Sequence, residues 1–305
     1  MSGRPEPFWS GWADLAIDAG FSPRVLAEIL DGGQAFRWHR QSEHTWIGAW
    51  AEHVAELRWE GLERLQWRGP AQAGAATGHA LKEYLDAGRP AAALADLLPW
   101  RSDAHLARCL AAFPGLRILR QSFGETLLCF LCSAAKQILQ IKQMAARLAE
   151  FHGPALFRLA PACGVKVSLL HRLPTWEELA GLSEGALRDC RLGFRARHIH
   201  RTAQFLAANR GWLARTASAP YAEARALLCQ LPGVGEKIAD CALLFGAGRL
   251  EAFPVDVWIH RAMVRHYGLN GWKPPQVAQF GRVHFGPLAG LAQQYLFAWE
   301  RANPG

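Results

Sequence analysis

Lys237 is the residue of this chain whose type and surroundings are best suited to chemistry. It follows the glycine turn Leu231-Pro232-Gly233-Val234-Gly235 inside LCQLPGVGEKIADCALLF, residues 228–245, and a second segment, FPVDVWIHR at 253–261, carries Asp256. The first segment predicts a helix, a hairpin and a second helix, with the lysine in the opening turn of that second helix. Gly233 and Gly235 let a phosphate come close to the backbone. The free amides at the start of the helix, with the positive end of its dipole behind them, then make an anion site. Gly233, Val234 and Gly235 are therefore expected to grip a DNA phosphate without reading bases, which leaves the Lys237 amine facing the neighbouring sugar.

Cys241 lies one turn beyond Lys237 and Phe245 two turns beyond, so the three share a helix face. A lysine beside a thiol and an aromatic ring is expected in a partly desolvated pocket. Burial and the helix dipole there disfavour the ammonium and make the free amine accessible near neutral pH. Such an amine can attack the anomeric carbon of a nucleotide, expel its base and leave a Schiff base. Loss of a proton from the adjacent sugar carbon then breaks the strand by β-elimination. Asp256 opens a helix after Pro254-Val255. It reads both as an N-cap and as a carboxylate that steadies an oxocarbenium-like sugar and helps move a proton. Asp240 falls off the Lys237 face and is the weaker candidate.

The elements that must hold these groups fall into two regions. From Gln34 to Trp67 the segments FRWHR, TWIGAW, VAELRW and RLQW alternate in polarity and are rich in tryptophan, which predicts antiparallel strands with turns at glycines. A helix is expected at 79–88. From about Leu116 the pattern turns helical, with one long signal at 125–153 broken near Ser133–Lys136. Further helices are expected at 176–181, 183–190, 195–208, 220–230, 235–247, 256–267, 274–283 and 288–301. The fold class is α+β: a small N-terminal antiparallel sheet domain over 1–115, joined to an all-helical body over 116–305 with the hairpin at 223–247.

Composition agrees with a polyanion partner. The chain has 305 residues, half of them apolar and a fifth charged, enough for a sizeable core. Net charge is +8 and the pI about 9.4. Arg188, Arg191, Arg195, Arg197, His198, His200 and Arg201 crowd one stretch. Seven cysteines at irregular spacing, without a secretory leader, read as reduced thiols of a cytoplasmic protein. Cys129 and Cys132 sit in the apolar run LLCFLC and read as a buried helix face rather than a zinc or redox pair. No cofactor or metal is expected, although a structural cation at the hairpin carbonyls is compatible with the sequence. A metal-dependent nuclease would need a carboxylate cluster, which the sequence lacks. No apolar run reaches the length of a membrane span.

Six ordered segments resemble the 8-oxoguanine DNA glycosylase family of the helix-hairpin-helix (HhH-GPD) superfamily: QAFRW at 34–38, LRQSFGETLLCFLCSAAKQI at 119–138, LGFRAR at 192–197, LPGVGEKIADC at 231–241, PVDVWIHR at 254–261 and FGPLAGLAQQYLF at 285–297. The resemblance implies a TBP-like N-terminal sheet packed on a helical glycosylase body. It also implies a monomeric bifunctional glycosylase/AP lyase acting on double-stranded DNA that contains oxidised guanine. The alternatives are a glycosylase for alkylated purines and a non-catalytic DNA-binding module. By resemblance Lys237 is the nucleophile and Asp256 the catalytic aspartate. Gly33 offers its carbonyl to N7–H of 8-oxoguanine, Phe297 and Cys241 sandwich the flipped base, and Gln293 meets its Watson–Crick edge, with Phe245 completing the pocket. Phe194 and Arg195 match a wedge aromatic and an arginine that engages the opposite cytosine. Ala135 and Lys136 stand where the family has an asparagine pair, and Gln140 where it has a second arginine. A weaker preference for cytosine is expected, with Lys136 or Gln137 partly substituting. No four-cysteine cluster closes the chain, which separates it from the iron–sulfur subfamily typified by endonuclease III.

Overall fold

A computed structural model describes residues 9–17, 21–61, 64–158 and 169–304, so Cys163 lies outside the described residues. The N-terminal region begins with β1 (Ala13–Asp14) and α1 (Pro23–Asp31), followed by β2 (Trp38–Arg40), β3 (Thr45–Trp50), β4 (His53–Glu60) and β5 (Arg64–Arg68). These strands form one antiparallel sheet in the order β1-β5-β4-β3-β2. The tryptophan-rich segments are thus strands, as their patterning predicts. Helix α1 was not expected, although Ser22 accepts from the Val25 amide and Pro23 takes the first helical position, both ordinary helix-start signals. Then come α2 (Gly74–Tyr84), α3 (Ala91–Asp96) and α4 (Ala104–Ala112).

The long helical signal is divided at the expected break into α5 (Phe123–Leu131) and α6 (Ile138–His152), with a turn between them that includes Ala135 at φ +52°. Two short strands follow, β6 (Ala155–Arg158) and β7 (Leu169–His171), which pair as an antiparallel ribbon. The body is therefore not all-helical, a correction with a clear cause. Alternate residues of β3 face opposite ways. Trp46 and Trp50 enter the main core, while Ile47 and Ala49 face outward and are covered with Val54 by Phe157 and Leu170 of the ribbon. The ribbon caps a sheet face that would otherwise be apolar and wet. The helices α7 (Trp176–Ala180), α8 (Glu184–Asp189), α9 (Arg195–Ala208), α10 (Trp212–Ser218), α11 (Tyr221–Leu228), α12 (Glu236–Gly246), α13 (Val257–Tyr267), α14 (Pro274–Phe285) and α15 (Ala289–Ala302) complete the chain. Of these only α10 was not expected.

Every residue of α12 from Ile238 to Phe245 is buried, and so is α15 from Ala289 to Ala298. Helices apolar all round belong at the centre of a core. α12 packs along α5, while α15 packs against α4 and α13. Lys237 therefore stands where the central helix emerges from the core. The sheet is joined to the body by polar contacts. Glu125 of α5 accepts from the Ala51 amide, and Arg172 pairs with Glu52 at 2.9 Å and Glu178 at 2.7 Å. No helix among the described residues is long and apolar enough to cross a membrane.

Candidate active site

The hairpin is closed from within. The Val234 amide donates to the Leu231 carbonyl at 3.1 Å and the Thr202 hydroxyl to the Pro232 carbonyl at 3.4 Å. Gly233 has φ +80°, and a Cβ there would come within 2.7 Å of the His198 ring on α9. Glycine is thus required twice over, by conformation and by space. Val234 spends its amide on the turn and is buried. The expected phosphate grip therefore falls to the amides of Gly235, Glu236 and Lys237, which donate to no oxygen among the described residues. No group of three or more His, Cys, Asp or Glu side chains among the described residues is placed to hold a metal ion.

The Lys237 amine donates to the Ser133 hydroxyl at 3.2 Å, and that hydroxyl in turn donates to the Phe130 carbonyl at 2.7 Å. With its proton committed to Phe130, the Ser133 oxygen presents a lone pair that aims the amine. The amine also lies 5.2 Å from the centre of the Phe130 ring. Burial pushes the Cys241 thiol up to about 12, opposed by the Lys237 charge. Asp256 caps α13, accepting from the Ile259 amide at 2.9 Å. Burial raises its pKa, while the Ile259 amide and the Lys237 charge pull it back. Asp240 is otherwise engaged. It accepts from the Tyr221 hydroxyl at 2.7 Å and pairs with Arg225 at 3.1 Å, tying α11 to α12 inside the core.

Gly33 and Phe297 come together from opposite ends of the chain. A Cβ on Gly33, whose φ is +105°, would lie 3.9 Å from the Phe297 ring and 3.2 Å from Ile138. Gln34 holds this loop in place. Its side chain donates to the Arg117 carbonyl and accepts from the Leu119 amide, both at 3.0 Å, and Gln121 donates to its backbone carbonyl at 2.7 Å. Gln293 is buried and donates to the Pro254 carbonyl at 3.1 Å, so it braces the segment that carries Asp256. Phe245 lies one layer behind the amine. Its ring stacks on Phe130 at 5.5 Å, and Phe130 is the ring beside Lys237. Phe130, Ser133 and Ile138 were missed as site residues. Phe130 lies inside and Ser133 ends the apolar run LLCFLCS, whose pattern signals a buried helix and nothing more.

On the other side of the mouth Phe194 is 56% exposed, an unusual state for phenylalanine. Arg195 is turned inward. It donates to the Leu192 carbonyl at 3.2 Å and to the Ala134 carbonyl, and its guanidinium lies 4.3 Å from the Phe194 ring. It braces the α5–α6 turn rather than projecting into solvent. Ala135, Lys136 and Gln137 are exposed in that turn, and Gln140 accepts from the Gln137 amide at 3.2 Å. The other buried thiols are kept protonated by their environment. Cys109 and Cys129 are pushed up to about 12 by burial, Cys190 to about 11, and Cys132 is likewise raised.

The family models for 8-oxoguanine DNA glycosylase, N-terminal domain, and for the HhH-GPD superfamily base excision DNA repair proteins match residues 20–127 and 138–283. The N-glycosylase/DNA lyase OGG1 of Arabidopsis thaliana is 30% identical over 285 residues, covering 88% of this chain and 75% of that protein. The chain belongs to the 8-oxoguanine DNA glycosylase family. A crystal structure of the Clostridium acetobutylicum 8-oxoguanine glycosylase/lyase, in complex with dsDNA containing cytosine opposite 8-oxoG, has a TM-score of 0.83 and 30% identity, covering 95% of this chain and 100% of that one. A probable N-glycosylase/DNA lyase of Methanothermobacter thermautotrophicus is 35% identical over 152 residues, 44% of this chain and 48% of that protein.

Proposed function

We propose that this protein is a bifunctional DNA glycosylase/AP lyase that removes oxidised purines, chiefly 8-oxoguanine, from duplex DNA. It acts as a monomer, without a cofactor, on DNA of the cytoplasm or nucleoid. The observation that carries the reading is the amine of Lys237, aimed by Ser133 at the mouth of the hairpin helix and electrostatically coupled to the capped carboxylate of Asp256.

The free amides of the hairpin helix would hold the backbone phosphate beside the lesion. The flipped base would enter between Phe297 and Cys241, with the Gly33 carbonyl accepting the N7–H that distinguishes 8-oxoguanine from guanine. The Lys237 nitrogen, having lost a proton, forms a bond to the anomeric carbon as the bond to the base breaks. Asp256, negatively charged beside the sugar, stabilises the positive charge that develops there. The ring opens to a Schiff base, and loss of the neighbouring sugar proton expels the 3′ phosphate by β-elimination. Its raised pKa makes Asp256 a better proton acceptor than an ordinary aspartate.

The test is borohydride trapping on a duplex with one 8-oxoguanine. Wild-type protein should form a covalent adduct and Lys237→Gln none. An adduct with Lys237→Gln would remove Lys237 from the reaction.

A further inference from the structure

Arg301 is a buried-edge arginine one helical turn beyond Phe297 on α15. Its Nη1 donates to Glu28 at 2.9 Å and to the Gly32 carbonyl at 3.1 Å, and its guanidinium lies 5.5 Å from the centre of the Phe297 ring. Gly32 ends α1 and is enclosed by Glu28: its amide donates to the Glu28 carbonyl at 2.7 Å, and a Cβ on it would meet the Glu28 carboxylate at 2.3 Å. One guanidinium therefore touches both walls of the base pocket, the loop of Gly32 and Gly33 and the ring of Phe297.

We propose that Arg301 is a positioning residue that, with Glu28, sets the gap between the Gly33 carbonyl and the Phe297 ring and so the fit of the oxidised base. The proposal rests on the lesion reading above. The reason lies in the chemistry of discrimination. 8-Oxoguanine differs from guanine towards Gly33 by one N–H, so selectivity depends on where one backbone carbonyl stands. Hydrogen bonds lose most of their strength within a fraction of an ångström of misplacement, and Gln34 fixes only the far side of that loop. Arg301 fixes the near side. Abasic-site cleavage by Lys237 has no base to seat and does not need the clamp.

The experiment compares Arg301→Met, which keeps the aliphatic bulk, with Arg301→Lys. Both hydrogen bonds leave from one nitrogen, so an ammonium can replace them. For Arg301→Met, kcat/KM on the 8-oxoguanine duplex should fall roughly tenfold or more, while incision of a preformed abasic duplex stays within about twofold. Arg301→Lys should recover most of the lesion activity. Equal losses on both substrates, no loss on the lesion, or a lysine variant no better than methionine would each overturn the proposal. Hydrogen exchange on the DNA-free proteins reads the clamp independently of substrate. Residues 32–36 should exchange faster in Arg301→Met and residues 231–245 should not, and unchanged exchange at 32–36 overturns the clamp. A wild-type protein that incises abasic DNA and ignores 8-oxoguanine would instead refute the lesion reading, with exchange still deciding the clamp.

Discussion

Asp256 is an N-cap in the structure and a working carboxylate in the proposed reaction, two roles that a single substitution separates. As an N-cap it satisfies the Ile259 amide, and asparagine caps a helix about as well. As a buried acid its pKa is raised. A folded-state pKa above the unfolded one means that the ionised form costs stability. That cost is absent at acid pH and fully present once pH exceeds the raised value. Asp256→Asn should therefore keep or raise the melting temperature at neutral pH while base excision falls by roughly two to four orders of magnitude. A variant that melts well below wild type would show that the carboxylate is structural. In the wild-type protein the acidic limb of kcat/KM should lie above the ordinary aspartate range, because ionised Asp256 is the working form. The capping position of Asp256 was legible in FPVDVWIHR, since a carboxylate at a helix start is a local pattern. Ser133 was not, because a serine that ends an apolar run carries no local sign that a lysine 104 positions away will meet it.

At the scale of elements, the α5–α6 turn concentrates what is unusual in this family member. Ala135 adopts φ +52°, a left-handed conformation that costs a non-glycine residue about 1 kcal/mol and that asparagine tolerates better. Its methyl group can neither fill the gap left by a flipped base nor donate to the opposite one. Gln140 accepts from the Gln137 amide and Arg195 is held by the Ala134 carbonyl. In the proposed complex the opposite base would meet Phe194, Lys136 and Gln137, which are exposed at the mouth. Cleavage of 8-oxoguanine should vary by less than about tenfold across the four opposite bases, since each lost specific contact gives up roughly 1–3 kcal/mol of discrimination. Strict dependence on cytosine would contradict this. Ala135→Asn should sharpen the preference and relieve the backbone. Most of the body's helices and the four tryptophan-rich strands were readable because each carries its own period and punctuation. The ribbon of β6 and β7 was not, since two short strands acquire meaning only against the outer face of β3, about a hundred residues earlier.

At the scale of the whole molecule, sheet and body share one continuous core that runs from Leu15 to Ala298. The two regions seen in the sequence are thus segments of one packed unit. That unity is what lets Gly32 and Arg301 meet across 269 positions, and it is why a clamp between them left no trace in any local pattern. The same continuity shelters the thiols. Burial holds the pKa of Cys109, Cys129, Cys132, Cys190, Cys229 and Cys241 above the usual thiol range, but Cys229 alone among these six is exposed to an oxidant. Peroxide attacks thiolates rather than thiols. Peptide mapping after peroxide treatment should find oxidised sulfur at Cys229 ahead of the other five, and early sulfenic acid at Cys241 would contradict that order. The oxidants that turn guanine into its 8-oxo form would then find little to attack beside the amine that acts on the damage, so repair can continue during the stress that creates its substrate.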